Sequence, residues 1–167
     1  MDNQINLNIS PEERLVNILR EKKYHVSFAE SCTGGLVAAT LVSVTDASSV
    51  FCESVVTYSS EAKIKRLGVK KEVIDFLGVV SEDVAGAMAQ GVCNLTGAEV
   101  GVGITGIAGP SGGTPDKPVG IVCFGFCING KVVTKTVNFE DVGRNNVRKN
   151  ASTYVFRTLS YLLENEN

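Results

Sequence analysis

Three short segments of this 167-residue sequence combine small residues with groups that can carry out acyl-transfer chemistry. The first contains Ser31, which follows an apolar stretch and is followed by Gly34 and Gly35. A serine between the end of a strand and the start of a helix lies where backbone N–H groups converge, and these can stabilise an oxyanion or a phosphate. The two glycines let the backbone approach a ligand closely. The alternative is an ordinary turn capped by Ser31 or Thr33.

The second segment, residues 58–63, could supply a base. Here too a predicted strand ends and a helix begins, with Tyr58 at the strand end and Lys63 in the first turns of the helix. The helix dipole disfavours a cation at that position, and together with desolvation it would lower the pKa of the amine. A neutral lysine can activate a hydroxyl nucleophile. The alternative is a solvated surface lysine.

The third segment, residues 103–113, is a loop rich in glycine that also follows a predicted strand. It is neither a P-loop nor a dinucleotide-binding fingerprint, because no helix follows it at the required spacing. Three such strand ends on one edge of a sheet would form a site, whereas a single one is typical of a flexible surface loop. Arg144 and Arg148 lie one helical turn apart and could hold a phosphate, or they could lie on a solvated helix face.

Cys32 is a rival nucleophile, because a thiol at a helix N-terminus can have a depressed pKa. His25 is the only histidine and is predicted at the opposite edge of the sheet, so a cysteine–histidine pair is not expected. Cys123 and Cys127 are spaced CxxxC within a strand-like run, and no second ligand pair follows them. The sequence therefore predicts no metal site.

The hydrophobic pattern predicts elements in the order α-β-α-β-α-α-α-β-β-β-α. The predicted strands are residues 24–28, 52–58, 99–104, 119–128 and 131–139. A first helix begins after Ser10, and the others are residues 36–44, 63–67, 71–77, 84–95 and 145–163. Asn129-Gly130 is typical of a type I′ hairpin turn between the last two strands. Mixed helices and strands with one hairpin indicate an α/β fold whose mixed, mostly parallel sheet is covered by helices on both faces.

Composition limits the class of protein. The length fits one domain spanning residues 1–167. The formal charge is 16 − 18 = −2, which argues against non-specific nucleic-acid binding. No apolar run is long enough to span a membrane, and the first ten residues do not resemble a secretory leader. With an odd number of cysteines, five, these features predict a cytoplasmic protein without disulfides.

Taken together, the segments resemble the C-terminal domain of the CinA family (competence/damage-inducible protein), whose standalone members are nicotinamide-nucleotide amidases. The matching stretches are residues 29–35, 55–59, 61–63, 103–113 and 117–120. The resemblance extends over about residues 12–162. It implies a three-layer α/β/α sandwich and hydrolysis of the amide of nicotinamide mononucleotide to nicotinate mononucleotide and ammonia, a step of pyridine-nucleotide salvage. It implies no cofactor, a small nucleotide as the only ligand, and a homodimer.

The resemblance also implies roles for individual residues. Ser31 would be the nucleophile, Lys63 the general base, and Tyr58 an assisting group. Backbone N–H groups of Thr33, Gly34 and Gly35 would form the oxyanion hole. The residues that would line the nucleotide pocket and meet its phosphate are Ser48, Thr105, Gly106 and Arg144.

The chain departs from the family pattern at three places. Ser60 stands where the pattern has asparagine, Ala47 where it has glycine, and residues 142–143 where it has Gly-Asp. None of these changes Ser31 or Lys63, so the amidase prediction stands. Two alternatives remain, namely a nucleotide-binding regulatory module without turnover and a cysteine amidase that uses Cys32.

Overall fold

The computed structural model describes residues 9–166, so most of the polar N-terminal segment considered above lies outside it, as does residue 167. The helices are α1 (Pro11–Lys22), α2 (Leu36–Leu41), α3 (Ser60–Leu67), α4 (Lys71–Leu77), α5 (Glu82–Thr96) and α6 (Arg144–Glu164). The strands are β1 (Val26–Glu30), β2 (Phe51–Val56), β3 (Val100–Gly106), β4 (Ile121–Ile128) and β5 (Lys131–Asn138). A short 3₁₀ turn, Ala47–Ser49, precedes β2.

The five strands form one sheet in the order β2-β1-β3-β4-β5. Strand β1 pairs in parallel with β2 and β3, whereas β3–β4 and β4–β5 are antiparallel. Four of the five strands therefore run the same way, although half of the pairings are antiparallel. The predicted mixed sheet is confirmed, and "mostly parallel" holds for strand direction only. The carboxyl ends of β1, β2 and β3 lie at one edge, which is where all three candidate segments begin.

Helices cover both faces of the sheet, as predicted. One layer is formed by α1, α2 and α6, and the other by α3, α4 and α5. The first layer packs on bulky side chains of the central strands, among them Phe28, Val102 and Phe124, which are fully buried. On the opposite face, Gly103 and Gly125 alternate with these residues and bring the backbone of β3 and β4 close to α5.

Two boundaries differ from the predicted ones for clear physical reasons. Strand β1 covers residues 26–30 instead of 24–28. Lys23 ends α1 in a left-handed conformation and the N–H of Tyr24 bonds back to Leu19, so Tyr24 belongs to the helix terminus. At the other end, Glu30 stays in the strand because it pairs with Val56 and Ile104 on its two neighbours.

The remaining differences concern the ends of elements. Helix α2 stops at Leu41 and strand β2 at Val56, both shorter than predicted. The predicted hairpin turn is confirmed, since Asn129 and Gly130 both have positive φ, 49° and 80°. Within the described residues, no helix has the length and apolar character that crossing a membrane would require.

Candidate active site

The turn after β1 carries Ser31. The Ser31 N–H donates to the carbonyl of Ile104 on β3, which fixes the serine at the carboxyl edge of the sheet. The Gly34 N–H then donates back to the Ser31 carbonyl and closes a tight turn. Gly34 and Gly35 have φ values of 60° and 93°, a region that L side chains rarely adopt. The glycines are therefore required by the turn itself.

Helix α3 brings Lys63 to this turn. The side chain of Ser59 accepts a hydrogen bond from the Ala62 N–H at 3.1 Å and so caps the helix, whose fourth residue is Lys63. The lysine side chain is 0% exposed. Its Nζ lies 3.0 Å from Ser31 Oγ, 2.7 Å from the carbonyl oxygen of Thr57 and 3.4 Å from that of Tyr58. The two residues predicted as nucleophile and base are in direct contact.

The surroundings of Lys63 favour the neutral amine. Burial lowers the pKa of Lys63 from its ordinary value, and the nearby Cys32 opposes this shift. No carboxylate among residues 9–166 forms an ion pair with it. A neutral amine has two N–H donors and one lone pair. The two carbonyl oxygens can take the donors, which leaves the lone pair for the Ser31 hydroxyl proton.

Cys32 lies beside the pair but differs from it in character. It is 6% exposed, and burial raises the pKa of its thiol to about 12. The reactive form of cysteine is the thiolate, which this environment disfavours. The structure therefore weakens the hypothesis of a cysteine nucleophile.

Of the three predicted oxyanion donors, two already have acceptors inside the turn. The amide of Gly34 is already bonded to Ser31, and that of Gly35 donates to the Glu30 carboxylate at 2.9 Å. Both amides are occupied inside the turn. Within the described chain, the amides of Cys32 and Thr33 donate to no backbone carbonyl, and the Cys32 sulfur, a weak acceptor, is within hydrogen-bond reach of both. These two amides follow Ser31 directly in the chain and are therefore the candidate oxyanion donors.

Two arginines of α6 form the rim of the site. Arg144 donates to the Tyr58 hydroxyl at 3.0 Å and to the Gly109 carbonyl at 2.7 Å. Arg148 donates to the Thr33 carbonyl at 2.8 Å and thereby contacts the turn that carries the serine. The Tyr58 side chain is 61% exposed, and only its backbone carbonyl faces Lys63. Each guanidinium retains unused N–H donors that could bind an anion.

The other predicted pocket residues are not all at the site. Thr105 and Gly106 end β3 at the same edge as Ser31, but the Thr105 hydroxyl is buried and donates to the Val79 carbonyl. The exposed Ser48 lies in the 3₁₀ turn before β2. That is the amino end of the strand, so the structure does not bring Ser48 to Ser31 within one chain.

Sequence reasoning gave no role to Glu30, although it adjoins Ser31. Its side chain is fully buried and accepts four hydrogen bonds. An acid directly before the serine, at the end of an apolar strand, was the signal that could have singled it out. At the opposite edge, His25 Nδ1 lies 3.3 Å from Glu99 Oε2, far from the serine as predicted. Residues 9–166 contain no group of three His, Cys, Asp or Glu side chains placed to hold a metal ion.

Comparisons of the sequence with family patterns and with known proteins indicate the same family. The CinA C-terminal domain pattern matches residues 8–163. A CinA-like protein of Kosmotoga olearia is 50% identical over 145 residues, which cover 87% of this chain and 35% of that protein. The chain therefore spans about a third of the length of this curated relative.

Solved structures agree with this comparison. A competence-damaged protein (CinA) superfamily protein from Klebsiella pneumoniae superposes with a TM-score of 0.89 at 32% identity, covering 92% of this chain and 96% of that one. A competence/damage inducible protein from Agrobacterium tumefaciens gives 0.86 at 34% identity, covering 96% and 99%. The chain belongs to the CinA C-terminal domain family.

Proposed function

We propose that the protein is a nicotinamide-nucleotide amidase that hydrolyses nicotinamide mononucleotide to nicotinate mononucleotide and ammonia. The observation that carries the proposal is the contact of 3.0 Å between Ser31 Oγ and the buried Lys63 Nζ. A desolvated lysine that has no carboxylate partner and contacts a serine at a strand end is suited to nucleophilic catalysis without a metal. The substrate itself is suggested by the resemblance to the CinA family.

In the first step, neutral Lys63 takes the proton of the Ser31 hydroxyl while Oγ attacks the carboxamide carbon. The pyridinium charge of the substrate makes that carbon more electrophilic. The developing oxyanion would be stabilised by the amides of Cys32 and Thr33, and a single donor of this kind contributes about 2.7–4 kcal/mol. Protonated Lys63 then gives its proton to the leaving nitrogen, which departs as ammonia and leaves an ester on Ser31.

In the second step, the ester is hydrolysed. Lys63, neutral again, takes a proton from a water molecule, whose oxygen attacks the same carbon. Collapse of this intermediate returns the proton to Ser31 Oγ and releases the nicotinate. The same two residues serve both steps, so one buried amine has to alternate between its two protonation states.

The phosphate of the nucleotide would bind to the two arginines that form the rim, Arg144 and Arg148. Arg148 donates a hydrogen bond to the Thr33 carbonyl, and Arg144 lies one helical turn away on α6. A phosphate held there would orient the rest of the substrate relative to Ser31, and such fixed placement lowers the barrier. We include in the proposal that the enzyme acts in the cytoplasm, as a homodimer, on this small nucleotide.

The decisive experiment measures ammonia release from nicotinamide mononucleotide by the purified protein in the presence of a chelator. We expect release by the wild type and loss of at least about 10³-fold with Ser31→Ala, in the range known for removal of catalytic nucleophiles. Nucleotide binding, measured by calorimetry, should persist in the variant. Cys32→Ala is the matched control at the adjacent position and should retain the wild-type rate within a few-fold.

Two outcomes would redirect the proposal. Loss of activity in Cys32→Ala with activity retained in Ser31→Ala would establish the cysteine mechanism. Nucleotide binding without ammonia release by the wild type would indicate a regulatory module without turnover. Either result would refute the serine–lysine proposal.

A further inference from the structure

The buried carboxylate of Glu30 occupies a position that the proposed reaction leaves unexplained. Glu30 is the last residue of β1 and directly precedes Ser31. Its Oε2 accepts from the N–H groups of Gly35 at 2.9 Å and Val37 at 3.1 Å, and its Oε1 accepts from the Ala38 N–H at 3.0 Å. The donors are the N-cap residue of α2 and two residues of its first turn.

The sheet supplies a fourth donor. The hydroxyl of Ser54, on β2, donates to Glu30 Oε1 at 3.1 Å. No cation among residues 9–166 pairs with Glu30, so its charge is balanced by neutral donors and by the positive end of α2. A buried, fully bonded carboxylate without a cation is unusual and calls for a structural or functional reason.

The usual cap of α2 is missing. The residue at its N-cap, Gly35, has no side chain, and Glu30 instead reaches the helix from five positions upstream. Glu30 precedes the turn of residues 31–34, and the amides that follow the turn donate to its carboxylate. The two ends of the turn are therefore held together by one side chain. The Gly35 amide is thereby occupied, whereas the amides of Cys32 and Thr33 donate to no backbone carbonyl.

We propose that Glu30 is a positioning residue, which holds the strand-to-helix turn so that Ser31 Oγ stays against Lys63 Nζ and the amides of Cys32 and Thr33 face the developing oxyanion. This inference rests on the proposed amidase function. Glu30 does not touch the reacting atoms, because its four acceptor contacts are all used inside the protein.

The test replaces Glu30 by Gln, which keeps the size of the side chain but turns an NH₂ group toward N–H donors. We expect kcat with nicotinamide mononucleotide to fall about 100-fold, as for a displacement of about 1 Å at a catalytic group. KM should change less than about threefold, because the rim arginines are not altered. Hydrogen exchange at Gly35, Val37 and Ala38 should accelerate.

Two further variants make the result unambiguous. Glu82→Gln is the matched control, since Glu82 accepts hydrogen bonds from Thr134 and Thr136 away from the serine. It should change the melting temperature but not kcat. Ser54→Ala removes one donor to Glu30 and should lower kcat about fivefold, the effect of one ordinary hydrogen bond. If Glu30→Gln does not fold, the Ser54→Ala result decides whether Glu30 positions the turn.

Failure of the inference and failure of the proposed function are distinguishable. A wild-type kcat in Glu30→Gln, or in Ser54→Ala if that variant has to decide, would overturn the positioning role and leave the amidase intact. If the wild type releases no ammonia, the amidase proposal fails. In that case the positioning role is tested separately, by the rate at which a fluorophosphonate labels Ser31, measured by mass spectrometry. Slower labelling in the deciding variant supports the positioning role, and an equal rate overturns it.

Discussion

At the scale of single residues, the site depends on a lysine that the fold removes from water. Because burial lowers the pKa of Lys63, more of the amine is neutral at a given pH than in an exposed lysine. The base must be neutral to take the Ser31 proton. We therefore expect kcat/KM to rise with pH through the Lys63 pKa and to level off below the ordinary lysine value of 10.5. A pH–rate profile measures this directly.

Lys63→Arg should be nearly inactive over the same pH range, since a guanidinium stays charged and has no lone pair for the proton. General-base catalysis is worth about 10²–10⁴-fold, which sets the expected loss. Lys65→Arg, on the exposed side of α3, is the matched control and should behave as the wild type. A rate that does not depend on pH, or an active Lys63→Arg enzyme, would contradict the role of the amine.

The contact between Ser31 and Lys63 could be predicted from the sequence, because the strand-end spacing and the family resemblance agreed on both. Which amides of the turn are already bonded could not be predicted, since the Gly35 amide is held by the Glu30 side chain. The position of Ser48 in the fold could not be predicted either. The resemblance named it as a pocket residue, but only the register of β2 against β1 shows that it lies at the other edge.

At the scale of elements, α5 lies so close to the sheet that two strands carry glycine beneath it. A Cβ on Gly103 would overlap the carbonyl oxygen of Ala85 and approach the Ala89 nitrogen to 2.7 Å. Both atoms belong to the helix backbone, which cannot rotate away as a side chain can. Gly103→Ala should therefore destabilise the protein by about 1–3 kcal/mol or more, measured by urea unfolding.

Gly97→Ala separates this clash from the general effect of losing a glycine. A Cβ there has nothing within 4 Å, but φ is 74°. The left-handed backbone alone should cost about 1–2 kcal/mol. The two variants should also differ in where they act, because only Gly103→Ala should speed hydrogen exchange along α5. An unchanged stability of Gly103→Ala would show that the helix moves freely away from the sheet.

The order and type of the elements followed from hydrophobic periodicity, but their ends did not. The α1–β1 boundary depends on Lys23 adopting a left-handed conformation, which is uncommon for a lysine and has no pattern in the sequence. The end of β1 depends on partners from two other strands. The Asn129-Gly130 turn was predictable because its chemistry is local.

At the scale of the whole molecule, the site joins both helical layers. Lys63 comes from α3 on one face of the sheet, and Arg148 comes from α6 on the other. Ser31 lies between them at the end of a central strand. No single layer contains the site, so the catalytic geometry exists only when both layers are packed on the sheet. The sequence predicted helices on both faces, but it could not assign each helix to its layer.

This arrangement predicts that the two layers unfold together. Leu159→Ala, in the fully buried face of α6, should cost about 2–5 kcal/mol by leaving a cavity. Because the sheet is shared, urea unfolding followed by hydrogen exchange should shift to lower urea by the same amount in α5 and in α6, and activity should be lost at the same midpoint. Tyr161→Ala, on the exposed side of α6, is the control and should shift neither. If α5 kept its wild-type midpoint while α6 unfolded early, the layers would be independent, and the site would be lost before the rest of the fold.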